Sequence, residues 1–84
     1  MTPTIDEFVA QIEAVSGATG TDPDTPVAEL SDVDSMDLME WLFGYQSEHP
    51  TAGVEATVFA NDDGAATLRT FHTRLVETAA RAAV

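Results

Sequence analysis

Asp34-Ser35-Met36-Asp37-Leu38-Met39-Glu40-Trp41-Leu42-Phe43 is the stretch on which the reading of this 84-residue chain turns. A serine stands between two aspartates and leads straight into an apolar helical pattern. Asp34 suits an N-cap: its carboxylate can accept an orphan N–H two or three residues on, worth about 1 kcal/mol over alanine. Ser35 is then the first helical residue, with its hydroxyl held exposed at the positive end of the helix dipole. The helix is expected over 35–47, because Pro50 disfavours helical backbone at His49. Its apolar content exceeds one stripe. Leu38, Leu42 and Tyr45, with Trp41 beside them, make one face; Met36, Met39 and Phe43 make another, flanked by Asp37 and Glu40. So short a chain can hardly surround a helix, so one face is expected to meet a partner. Gly44 costs roughly 1 kcal/mol against alanine in mid-helix, which points to close packing or to room for a guest.

Upstream, Thr4-Ile5-Asp6-Glu7 fits a capping box, with Thr4 as the cap and Glu7 reaching back to its N–H. Ile5, Phe8, Val9, Ile12 and Val15 follow at helical spacing, and Gly17 is the natural stop, so a helix is expected at about 4–16. Residues 17–33 read as a loop punctuated by Gly17, Gly20, Pro23 and Pro26, with Val27 and Leu30 as its anchors into the core. Downstream, His49-Pro50-Thr51-Ala52-Gly53 is a turn. Val54, Val58 and Phe59 precede a second turn at Asn61-Asp62-Asp63-Gly64. Thr67 then caps a final helix expected over 67–82, with Leu68, Phe71, Leu75 and Val76 as its apolar stripe and an alanine-rich end.

Length and composition describe one domain, 1–84, with a small core. There is no cysteine, hence no disulfide frame and no thiolate metal site. No apolar run approaches a membrane span and no secretory leader pattern opens the chain, so a soluble cytoplasmic protein is expected. Fifteen acids against three basic residues (Arg69, Arg74 and Arg81) leave a net charge of −12, and residues 1–68 carry no cation. Such a field repels nucleic acid and anionic lipid and speeds encounter with basic protein surfaces, although it also fits simple solubility.

The Asp-Ser-Met at 34–36 resembles the Asp-Ser-Leu signature of the acyl and peptidyl carrier proteins. Length, acidity and helix order extend the resemblance over most of the chain. It implies an all-α, four-helix bundle of the acyl-carrier type, with the three main helices already placed and a short third helix near 56–61. It also implies that Ser35 receives a 4'-phosphopantetheine arm from coenzyme A through a phosphopantetheinyl transferase. The arm's thiol would carry acyl groups as thioesters, and the chain, a monomer rather than an enzyme, would present them to acyl-loading or ketosynthase-type enzymes with basic docking surfaces. The pathways in view are fatty-acid, polyketide or related natural-product synthesis, with a tilt toward a specialised one. By position beside Ser35, partner reading falls to Asp34, Met36, Asp37, Met39, Glu40 and Phe43. The sequence departs from the family's Leu-Gly-x-Asp-Ser at Leu30-Ser31-Asp32-Val33-Asp34-Ser35: Asp32 replaces the glycine and the leucine lies one position further upstream.

Other chemistry at Ser35 fares less well. Hydrolysis needs a base and oxyanion donors, and only His49 and His72 are available. His49 lies on the order of 20 Å along the helix, and His72 reads as a boundary residue. Three nearby carboxylates (Asp32, Asp34 and Asp37) oppose a dianionic phosphate more than a singly charged phosphodiester. EF-hand spacing fails from Asp32 and from Asp22, so no dedicated metal site is expected. The alternative of another class is an unmodified acidic helical protein that binds a basic partner through the second helix at Met39 and Phe43.

Overall fold

The computed structural model describes residues 3–51, 53–60 and 65–82. Among them there are three α-helices, α1 (Ile5–Ser16), α2 (Ser35–Glu48) and α3 (Leu68–Ala82), and no strand. Two 3-10 turns, Val27–Glu29 and Ala56–Phe59, lie in the connections. The molecule is a small helical bundle.

Each helix starts where the sequence places a cap. Thr4 is extended and its hydroxyl accepts from the Glu7 N–H at 3.1 Å, while the Thr4 N–H donates to Glu7 Oε1 at 2.8 Å. Gly17 ends α1 with φ +80°, a left-handed conformation that glycine adopts without Cβ strain, and its N–H donates to the Glu13 carbonyl. Thr67 Oγ1 accepts from the Thr70 N–H at 3.1 Å, so it stands at the mouth of α3 and the helix proper begins at Leu68. Helix α2 runs one residue past the expected end and stops at Glu48, with His49 as its C-cap.

The short third helix expected near 56–61 is a 3-10 turn that ends at Phe59; position 61 and the expected turn at 61–64 lie outside the described residues. Val54, Val58 and Phe59 are all buried, so the segment serves as a plug. It packs on both α2 and α3. The Phe59 ring stands edge-on to Trp41 at 5.9 Å and to Phe71 at 5.2 Å, joining the two helices through one side chain. Such aromatic pairs are worth about 0.5–1.5 kcal/mol beyond the area they bury. Arg74 holds the turn from outside, donating to the Val58 and Ala60 carbonyls while its guanidinium lies over the Phe71 face.

The core is Phe8 and Ile12 of α1, Leu38, Trp41, Leu42 and Tyr45 of α2, and Leu68, Phe71 and Leu75 of α3, closed by loop side chains. Val76 is a correction to the expected α3 stripe: it is exposed, because one residue past Leu75 turns it about 100° off the buried line. The long first connection is also pinned. Val27 is buried and Leu30 packs on the core, as the pattern predicts. Ala18 and Val33 are buried besides. The Val27 N–H donates to the Ala66 carbonyl at 2.9 Å, the Arg69 N–H to the Pro23 carbonyl at 3.0 Å, and the Thr21 N–H to Glu13 Oε2 at 2.9 Å. An exposed ion pair between Arg69 and Asp24 at 2.6 Å adds a fourth tie, and the guanidinium holds the Asp24 carboxyl below its ordinary pKa.

Candidate functional site

The approach to Ser35 is built from a tight turn. The Val33 N–H meets the Leu30 carbonyl at 3.4 Å, so Ser31 and Asp32 form an exposed corner and Val33 drops into the core. Anchoring Val33 fixes the next residue. Asp34 is extended (φ −125°, ψ 179°), its Oδ1 accepting from the Asp37 N–H and its own N–H donating to Asp37 Oδ2, both at 3.1 Å. This is a capping box closed by aspartate in place of glutamate. The sequence indicates the first of these bonds and not the second, in which Asp37 accepts, since its side chain is one methylene shorter than the usual glutamate partner.

Ser35 therefore opens α2 without having to cap it. Its side chain is exposed, and among the described residues the hydroxyl has no hydrogen-bond partner. The N–H groups of Ser35 and Met36 likewise donate to no described residue, while Asp37 and Leu38 are satisfied by Asp34. Two donors and a hydroxyl without partners among the described residues thus sit together at the positive end of a fourteen-residue helix.

The rest of the face follows helical geometry. Met36 is 78% exposed and Phe43 is 64% exposed; they lie seven residues, or about 10 Å, apart on one side of α2. Asp34, Ser35, Asp37, Met39 and Glu40 line the same shallow depression. Met39 differs from its two companions. It is half-buried and packs against the core, so it serves the fold and the surface at once. The opposite side of α2 carries Leu38, Trp41, Leu42 and Tyr45, all buried.

Neither histidine is presented to Ser35. His49 ends α2, its ring 4.7 Å from that of Tyr45, and His72 places Nε2 2.7 Å from the Pro3 carbonyl beside Phe8. Among the described residues no group of three or more carboxylates or imidazoles converges on a point where a metal ion would sit. No helix among them is long and apolar enough to cross a membrane.

Gly44 proves to serve no close packing. A Cβ built on it meets nothing within 4 Å. It faces a groove of about 380 Å³ between α1 and α2, floored by Ala14, Val15, Trp41 and Tyr45 and rimmed by Gln11, Glu40 and Glu48. Gln11 is the groove's polar fixture, its Oε1 accepting from the Trp41 indole N–H at 2.7 Å. The pattern hid that pair, since a glutamine on an exposed helix face has no periodic signature.

Comparison with protein-family models, with curated proteins and with solved structures finds no match to this chain.

Proposed function

We propose that this chain is a carrier protein of the acyl and peptidyl type, on which Ser35 is the attachment point for 4'-phosphopantetheine. The observation that carries the reading is the Ser35 hydroxyl, exposed and without a partner among the described residues at the mouth of α2, while Asp34 does the capping. In the proposed loading step, within a separate magnesium-dependent transferase, the Ser35 oxygen attacks the β-phosphorus of coenzyme A. The P–O–P linkage breaks, the nucleotide leaves and the hydroxyl proton passes to a base of the transferase. The free N–H groups of Ser35 and Met36 suit the resulting singly charged phosphodiester, offsetting the repulsion from Asp32, Asp34 and Asp37. When attached, the arm supplies a thiol that holds an acyl group as a thioester.

The chain's own part is position and recognition. Asp34 and Asp37 fix the helix mouth and Val33 anchors the approach. Met36 and Phe43 offer partner enzymes an apolar patch, with Met39 beneath and Glu40 beside them. Methionine adapts to differently shaped surfaces, and the surrounding acids favour enzymes with basic rims. A monomeric cytoplasmic carrier for fatty-acid, polyketide or related natural-product enzymes is the form this takes, with no catalysis by the chain itself. The exposed Met36 and Phe43 also favour a second reading, in which the unmodified chain binds a basic partner through α2.

Incubation with coenzyme A and a broad-specificity transferase, followed by intact-mass measurement, separates the two. The carrier reading expects a phosphopantetheine-sized gain that Ser35→Ala abolishes. No gain with several transferases, or a gain that survives Ser35→Ala, overturns it. Titration of a basic candidate partner with the unmodified chain then tests the second reading.

A further inference from the structure

We propose that Met36 is an oxidation site: a peroxide converts its thioether to the sulfoxide in preference to that of Met39. The change makes the face beside Ser35 polar and leaves the fold intact. The chain has no cysteine, so no thiol of its own competes for the oxidant and the thioethers are attacked first.

The two methionines of α2 differ in access. Met36 is 78% exposed and has no place in the core or among the side chains packed on it, whereas Met39 is half-buried and packs there. In the reaction a sulfur lone pair attacks one oxygen of hydrogen peroxide, and the S–O bond forms as the O–O bond breaks. Sulfur gives up two electrons, and the second peroxide oxygen leaves as water carrying both protons. The oxidant must reach the sulfur from solvent, and the open side chain of Met36 lets it do so from most directions.

The place of the sulfur gives the step its consequence. Met36 lines the depression that also holds Ser35, Met39 and Phe43, and with Phe43 it supplies the bare apolar surface there. A sulfoxide oxygen is a hydrogen-bond acceptor that holds water, and a surface docking on this face would have to remove that water. Leucine has nearly the volume of methionine and no sulfur, so at position 36 it keeps the surface and removes the chemistry. Reduction restores the thioether, which makes the modification reversible. Its effect on loading rests on the attachment proposed at Ser35; the oxidation itself does not.

The test uses the full chain before any arm is attached, since the thiol of an arm would compete for oxidant. Graded hydrogen peroxide is followed by digestion that cuts before Asp37, which puts Met36 and Met39 on separate peptides for mass spectrometry. Sulfoxide is expected at Met36 about fivefold or more faster than at Met39. The chain oxidised at Met36 should keep its urea midpoint and leave a hydrophobic-interaction column earlier. Methionine sulfoxide reductase should reverse this shift, and Met36→Leu at the same peroxide dose should lack it. With coenzyme A and a transferase, the initial rate of modification should fall about threefold or more on oxidation and hold steady in Met36→Leu. The proposal is overturned if Met39 oxidises as fast as Met36, if retention does not change, or if oxidation at Met36 unfolds the chain. It is also overturned if a chain that accepts the arm accepts it equally fast when oxidised. An unoxidised chain that accepts no arm contradicts the carrier reading alone, and mapping and retention then decide the oxidation site.

Discussion

Leu42 and Phe43 are neighbours on α2, and they sit on opposite terms with water: Leu42 is 1% exposed, Phe43 is 64% exposed. The two faces they represent both carry large apolar side chains and differ in what covers them. Leu42 belongs to a face that Phe8, Ile12, Phe59 and Phe71 help to bury. Phe43 belongs to a face on which the described residues cover only Met39, leaving Met36 and Phe43 bare. The fold needs only one of them. This bare apolar area lines the same depression as Ser35, and its size is what the carrier proposal uses.

The sharpest way to break this contrast is truncation of the two neighbours. Leu42→Ala is expected to cost about 2–5 kcal/mol of stability in urea unfolding, because it removes buried methyl groups and leaves a cavity. Phe43→Ala should change stability by no more than about 0.5 kcal/mol. Equal losses would show that Phe43 is core and that α2 has no spare face.

Next in size is the helix mouth. Asp34→Ala should cost about 0.5–2 kcal/mol in the same measurement, and Thr4→Ala, which opens the equivalent box on α1, a similar amount. Gly44→Ala reverses the sign. It is expected to stabilise the chain by roughly 0.5–1 kcal/mol, since the added methyl meets no neighbour and helix propensity improves. A destabilised Gly44→Ala would mean that the fold, and not the groove, requires the glycine.

The smallest effect lies far from α2, at Asp24 and Arg69. Hydrogen bonding to Arg69 lowers the Asp24 pKa in the folded state. Its contribution is thus present above the unfolded aspartate pKa and lost as pH falls through the lowered folded value. Asp24→Asn should narrow the gap in thermal midpoint between neutral and strongly acidic pH, by little, because both partners are exposed. An unchanged gap would remove the pair from any account of acid sensitivity.

Much of this was legible in the sequence because it is local. Thr4 with Glu7, Asp34, Gly17 and Thr67 mark helix ends by chemistry acting over three or four residues, and the buried face of α2 follows from periodicity. Exposure of Met36 and Phe43 against half-burial of Met39 was not legible, since all three lie on the second face and only tertiary packing decides which of them α2 tilts inward. Burial of Val33 was not legible either, since a lone valine before a cap carries no period. The Gln11–Trp41 bond and the ties of Arg74 to Val58 and Ala60 join residues far apart in the chain, and no spacing rule foretells them.

Peptide mapping by tandem mass spectrometry of the chain purified from its own cells tests the central claim most directly. The account predicts phosphopantetheine on the peptide containing Ser35, on the oxygen of that residue and on no other serine or threonine. An unmodified Ser35, or the group found on a different residue, would contradict it.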